Sequence, residues 1–264
     1  MLNIFTLPEI ILFFFIYALL GWFTEVLYAF HKQHTFVNRG FLYGPFCPIY
    51  AFGIISIILI LYQYKNNISL LFILGTIITS LLEYITGYIL ENVFHSKWWD
   101  YSDNKYNLHG RICLYFSLIW GLSSTIVVSL IHPLIYSLIS HIPTKLINIL
   151  SSLIAIYFII DLSLTILSLI QFNTLITELS NLKIDINIKL LTFKKSQTEL
   201  RAIAKEDFEV QAKVLRNKYD NTIKKLKSNH IRLLNSFPYA TRSDDKTFFK
   251  EIKEKLQGYN HKIE

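Results

Sequence analysis

Apolar residues dominate five stretches of the chain, each near the ~20 residues that a helix needs to cross ~30 Å of hydrocarbon. They run over Glu9–Phe30, Tyr43–Tyr62, Ser69–Phe94, Ile112–Ile131 and Leu146–Phe172. Polar residues gather between them, at His31–Gly40, Gln63–Asn67, His95–Arg111 and His132–Lys145, the last holding Pro133 and Pro143. Beyond Phe172 the pattern changes. Leu175, Leu179, Leu182, Ile186, Leu190, Phe193, Leu200 and Ala204 recur about every 3.5 residues, interrupted by Gln197, with charges on the other faces. This predicts one or two long helices from Asn173 to about Asn235, a coiled-coil-like stalk or hairpin packed on itself, a second copy or a partner. Ser236-Phe237-Pro238 ends it, and Asp244–Leu256 predicts a short amphipathic helix with Phe248, Phe249, Ile252 and Leu256 on one face. The expected fold class is all-α: a polytopic membrane bundle over residues 1–172 and a helical tail over 173–264.

Composition sharpens that division. Of 264 residues, 52% are hydrophobic and 17% charged, and mean hydropathy is +0.38, high for a soluble globule. Residues 1–172 hold seven Lys/Arg and seven Asp/Glu, whereas 173–264 hold nineteen and twelve, so the whole +7 excess lies in the tail. A basic tail is suited to anionic inner-leaflet lipid; its interspersed Lys and Glu and few aromatics speak against nucleic acid as a partner. The first apolar run lacks a charged leader and a small-residue cleavage site, so it reads as a span and not as a signal peptide. Cys47 and Cys113 give neither a disulfide framework nor zinc spacing.

An internal repeat is visible at an offset of 66 residues. Gly21-Trp22-x-x-Glu25-x-x-Tyr28 aligns with Gly87-Tyr88-x-x-Glu91-x-x-Phe94, and Asn38, Arg39 and Leu42 align with Asn104, Lys105 and Leu108. Gly44-x-x-Cys47 then falls on Gly110-x-x-Cys113, and Tyr50 on Phe116. Each unit would be a helix ending in a glutamate, a basic loop and a returning helix, so the bundle reads as a duplicated hairpin plus one helix. Two spans per unit keep both copies in one orientation, related by an axis along the membrane normal.

Ionisable residues within spans cost at least ~2.5–3.5 kcal/mol on insertion scales, so each needs a reason. Glu83 and Asp161 lie inside the third and fifth stretches, Glu25 and Glu91 near the ends of the first and third. Thr76, Ser80, Glu83, Gly87 and Glu91 form one polar helical stripe, which should face other helices or a wet cavity. Arg39 and Arg111 are within reach of Glu25 and Glu91, either as structural ion pairs or as a charged vestibule. Glu83 has no basic residue at its depth and reads as functional; Asp161 is open. Trp98-Trp99-Asp100-Tyr101-Ser102 has the composition of an interfacial belt or of a folded loop over the bundle mouth. His31, His34, His95 and His109 lack metal-ligand spacing. No catalytic, cofactor or metal site is therefore expected, and the chain does not read as an enzyme.

Asn38-Arg39-Gly40-Phe41-Leu42-Tyr43-Gly44-Pro45 through Pro48-Ile49-Tyr50 is one distinctive block. Glu83-x-x-Thr86-Gly87-x-x-Leu90-Glu91, the Trp98–Ser102 run and Asn107-x-x-Gly110-Arg111-Ile112-Cys113-Leu114 form a second. From about Gly21 to Gly121 these blocks resemble the bacterial family called "Putative ABC-transporter type IV", the CmpB-like permeases, with Ala51 departing from an expected glycine. The resemblance implies a multi-pass permease component. The sequence has no Walker A pattern, so an ABC role implies a separate ATP-binding subunit, with the tail as its docking surface. The tail region 173–235 is also suited to homo-oligomerisation. A non-transporting scaffold or sensor, whose spans anchor the tail, is the competing reading.

The Lys/Arg bias sets the orientation. Lys32, Arg39, Lys97, Lys105, Arg111 and the tail fall on one side, Lys65 and Lys145 on the other. In a bacterial plasma membrane this places the N-terminus outside and the C-terminus in the cytoplasm. Reporter fusions should be active on opposite sides at the two termini; a cytoplasmic N-terminus would mean a miscounted span.

Overall fold

A computed structural model describes residues 5–34, 36–94, 96–195 and 201–224, together with His230, Arg232, Thr241 and Arg242. Helix α1 (Leu7–Gln33) opens on a cap in which the Glu9 carboxylate accepts the Thr6 backbone N–H at 2.7 Å and hydroxyl at 2.8 Å. It closes on His34, left-handed at φ 54°, whose N–H reaches the Phe30 carbonyl. Helix α2 (Pro48–Leu61) ends in a 3-10 turn at Tyr62–Tyr64. Helix α3 (Ile68–Phe94) is started by the Asn67 side chain, which accepts the Leu70 N–H at 3.0 Å. Helix α4 (Leu114–Ile126), a π-helical segment (Val127–Ile131) and α5 (His132–Ser140) form one apolar rod. Then come α6 (Thr144–Lys195) and α7 (Arg201–Lys224). Four two-residue strands complete the chain. β2 (Asn107–Leu108) pairs with β3 (Ile112–Cys113), and β1 (Ser96–Lys97) with β4 (Thr241–Arg242), both antiparallel.

The all-α membrane bundle is as expected, with its helix limits corrected in three places. Among the described residues, four helices are long and apolar enough to cross a membrane, Leu7–His31, Ile68–Phe94, Leu114–Ser140 and Thr144–Ile188, and Pro48–Tyr64 is a shorter fifth. The second stretch therefore begins at Pro48 and not at Tyr43. Residues preceding a proline disfavour the helical conformation, so Gly44 before Pro45 and Cys47 before Pro48 hold the chain out of the helix until proline can occupy its first turn. The fourth stretch continues through Pro133 to Ser140. Proline has no N–H for the carbonyl one turn back and its ring crowds it; the chain widens into the π turn and carries on. Thus His132 lies inside the rod and not in a loop, and the real break is at Pro143. The fifth stretch does not stop at Phe172: α6 has 52 residues, about 78 Å of helix, more than twice the hydrocarbon thickness.

Packing follows two antiparallel hairpins, α1–α2 and α3–α4, with α2 against α3 and α6 against α1. Phe13, Tyr17, Leu42, Ile57, Ile58, Leu61 and Leu71 form the centre of the apolar core. Between α3 and α4 the seam is made of small residues, since lipid supplies no hydrophobic drive for helices to associate and close backbone approach must do so. A Cβ on Gly75 would lie 2.9 Å from the Ser124 Cβ, and one on Gly121 would lie 3.0 Å from the Phe72 carbonyl and closer still to the Thr76 hydroxyl. Outward, α3 shows Ile73, Ile77 and Leu81 and α6 shows Leu153, Ile156 and Ile160, all exposed. Beyond the bundle, Ile176, Leu179 and Leu182 of α6 pack on Tyr219 and Ile223 of α7, and the Thr222 hydroxyl donates to Glu178 at 3.3 Å. Of the partners open to this stripe, its described portion packs on its own chain. The Leu190, Phe193, Leu200 and Ala204 side chains, the Ser236-Phe237-Pro238 break and the Asp244–Leu256 helix lie outside the described residues.

Gly121→Val should destabilise the α3–α4 seam by about 1–3 kcal/mol through overpacking, seen as a lower melting temperature in detergent. Gly53→Ala is the control: a Cβ there meets nothing within 4 Å, and its melting temperature should not fall.

Candidate functional site

The acids of the bundle share one level. Glu25, Glu83 and Asp161 lie 15–18 residues from the starts of α1, α3 and α6, about 22–27 Å along each axis, and Glu91 lies two turns beyond Glu83. That level is at the end where residues 34–47 and 95–113 close the two hairpins and where the tail returns. All nine candidate residues from the sequence fall in this layer or its loops: Glu25, Asn38, Arg39, Glu83, Glu91, Trp99, Asp100, Arg111 and Asp161.

Each hairpin is closed by an ion pair. Glu25 meets the Arg39 guanidinium at 3.2 Å and accepts the Tyr50 hydroxyl at 2.7 Å. Glu91 takes Arg111 Nε at 3.1 Å and Nη2 at 2.7 Å, and that guanidinium also stacks over Tyr84 and Tyr88. The pairs are analogous, but their cations occupy different repeat positions, since Arg39 aligns with Lys105 and Arg111 with Pro45. The cysteines agree better: Cys47 and Cys113 are both buried N-cap residues of the returning helix.

The two loops are folded structures. In the first, the Asn38 side-chain oxygen accepts Trp22 Nε1 at 2.7 Å and the Gly40 N–H at 3.0 Å. In the second, Trp99 Nε1 donates to the Arg111 carbonyl at 2.8 Å and Asp100 Oδ1 accepts the Ser102 N–H at 3.0 Å and its hydroxyl. Gly110 is at φ +68°, where a Cβ would strike that Asp100 oxygen. Phe41 meets Trp98 edge to face at 5.6 Å, joining the loops. The Trp98–Ser102 run is thus a folded closure and not only a belt.

Asp161 is 4% exposed and is held by hydrogen bonds. It accepts the backbone N–H groups of Tyr43 at 2.8 Å and Gly44 at 2.9 Å, the Tyr157 hydroxyl at 3.0 Å and the Thr165 hydroxyl at 3.3 Å. Arg232 binds the same segment, donating to the Gly40 carbonyl at 2.7 Å and the Leu42 carbonyl at 3.0 Å. Burial lowers the Arg232 pKa, with Tyr43 and Asp161 opposing it. Sequence reasoning missed Arg232, because a lone arginine in a basic tail gives no local sign of a target 190 positions away. It also missed His132, fully buried with Nδ1 2.8 Å from the Tyr17 hydroxyl and ringed by Phe5, Phe13, Tyr62 and Tyr136. Reading the apolar run through Pro133 would have shown it as an isolated polar residue.

Glu83 is the exception. It is 8% exposed, and its Oε1 accepts the Tyr101 hydroxyl at 3.1 Å. Tyr101 comes from the second loop, stacks on Phe116 at 4.8 Å, and has its hydroxyl pushed up by burial and next by Glu83, so it stays a donor. The Trp120 indole stands near the same carboxylate but does not meet hydrogen-bond geometry. Glu83 Oε2 and the Ser80 hydroxyl, one turn away on the stripe, are buried without a hydrogen-bond partner among the described residues.

Asp161→Ala should cost about 2–4 kcal/mol, since two backbone N–H groups lose their acceptor inside the protein. Loosening of the 36–47 segment should also turn Cys47 from alkylation-resistant to reactive, which maleimide labelling followed by mass spectrometry reads directly.

Residues 12–166 match the family described as "Putative ABC-transporter type IV", a segment that contains both hairpins, their ion pairs, Glu83 and Asp161 but not the α6–α7 stalk. No curated protein and no solved structure matches the chain. With more than half of its length matched, the chain belongs to the "Putative ABC-transporter type IV" family.

Proposed function

We propose that this protein is the membrane-embedded component of a transport system, itself non-catalytic and energised by a separate ATP-binding subunit. The family match carries this reading, because the matched residues coincide with the bundle and its polar layer. ATP hydrolysis would be supplied by that separate subunit, since residues 1–264 hold no P-loop. The docking face would be the loop-bearing end, where α6 continues out of the bundle as a helical hairpin and the tail returns onto the loops through Arg232 and β4. In a bacterial plasma membrane this end faces the cytoplasm, where ATP is found.

One observation favours a second reading, a membrane scaffold. Glu25, Glu91 and Asp161 are all engaged in holding loops, and the longest helix serves the stalk. Affinity purification from native membranes, with the tag on the N-terminus to leave the stalk free, separates the two. Stoichiometric recovery of an ATP-binding protein, lost when Arg232→Ala releases the tail, is expected for the transport component. Recovery of the intact protein without an ATP-binding protein in repeated preparations would overturn that reading in favour of the scaffold.

A further inference from the structure

We propose that Glu83, with Ser80 and Tyr101, is a binding site for one monovalent cation, a proton or an alkali ion, held on Glu83 Oε2 within the α3–α4 hairpin. The case is one of unmet valence. The other acids of this layer have their charge answered: Glu25 by Arg39, Glu91 by Arg111, and Asp161 by two backbone N–H groups and two hydroxyls. Glu83 is more buried than Glu25 and Glu91 and nearly as buried as Asp161, yet it has one hydrogen bond and, among the described residues, no ion-pair partner. An ionised carboxylate in that position would carry an uncompensated charge in low dielectric, which proteins avoid by pairing it or by neutralising it.

The surroundings leave one place for a positive charge. Oε1 is taken by Tyr101, whereas Oε2 and the Ser80 oxygen have no partner, and the three-residue spacing puts both oxygens on one face of α3. The titratable groups that surround the site supply no cation. From the loop and β3 come Tyr101 and Cys113, and from α1 comes Glu25. On α2, Tyr50 donates to Glu25, and on α6, Asp161 is bound to the first loop. The arginines of this layer are engaged elsewhere, Arg39 by Glu25, Arg111 by Glu91 and Arg232 by the Gly40 and Leu42 carbonyls. A proton or a small cation satisfies Oε2 and relieves the charge together, and the Tyr101 hydroxyl remains a donor to Oε1 in either case. This site is independent of any ATP-binding partner.

The test is infrared difference spectroscopy of the full chain in lipid nanodiscs, titrated with pH with and without sodium. A protonated-carboxyl C=O band that is absent in Glu83→Gln and fades at alkaline pH is expected. If sodium removes the band at fixed pH, the site also takes an alkali ion; if sodium has no effect, it takes the proton alone. Tyr101→Phe keeps the ring stack and removes only the hydroxyl that favours the charged form, so it should tighten proton binding about tenfold. That variant also serves if Glu83→Gln does not accumulate. A spectrum with no band that responds to either substitution, and no sodium-dependent change in melting temperature, would overturn the proposal.

Discussion

Backbone that leaves the helical conformation at membrane depth must find partners for its N–H and C=O groups inside the protein, and residues 36–47 are governed by that requirement. The 17 residues of Pro48–Tyr64 reach about 25 Å, short of the ~30 Å hydrocarbon. The segment before Pro48 therefore completes the crossing while unwound, with Gly40, Leu42, Phe46 and Cys47 buried. Asp161 supplies the acceptors for its N–H groups and Arg232 the donors for its carbonyls, while Asn38 turns its start. Arg232 lies beyond α7, so satisfying this segment requires the stalk to run out and fold back. Bundle and tail differ in composition, but they are joined mechanically through non-helical chain, at Gly40 and Leu42 by Arg232 and at Ser96–Lys97 by β4.

The same electrostatic logic accounts for the two ion pairs at the hairpin turns. A buried pair contributes little net stability, whereas breaking one by removing a partner typically costs 3–5 kcal/mol, so the pairs serve mainly to fix arrangement. Here they fix where each loop meets its hairpin. Glu25–Arg39 and Glu91–Arg111 bind each hairpin's first helix to the start of its second, and the Phe41–Trp98 contact then joins the two loops. A polar layer built this way is rigid at the loop end, and the opposite end is held by the aromatic shell around His132.

What could be read from sequence depended on how local the cause was. The α3 limits follow from hydropathy and from Asn67, and the expected start at Ser69 differs from the observed Ile68 by one residue. Glu25–Arg39 and Glu91–Arg111 were legible because charge, spacing and depth all act within some twenty residues. The start of α2 was marked only by its prolines, because Tyr43 and Phe46 are as apolar as the helix that follows. The continuation of α6 past Phe172 was hidden for the opposite reason: hydropathy records the end of the bilayer, and a helix does not need to end there. Asp161 and Arg232 were beyond reach, since their partners lie 117 and 190 positions away and a carboxylate bound to backbone N–H groups has no complementary residue to search for.

The repeat gives Glu83 its meaning. At the 66-residue offset its equivalent is Tyr17, also wholly buried and also one helix turn before a glycine, Gly21 in the first copy and Gly87 in the second. Tyr17 is answered by His132, a hydroxyl against an imidazole nitrogen, and neither group need carry charge. Around Glu83 the stripe positions Thr76 and Ser80 replace Ile10 and Phe14 of the first copy, so polarity in the second hairpin extends about two turns above the carboxylate. A carboxylate in a seam otherwise sealed by Gly75, Gly121 and Ser124 gains nothing as packing that a tyrosine would not supply. What it adds over the phenol of the first copy is the capacity to hold a positive charge and to release it, and the second loop extends Tyr101 down to that same group.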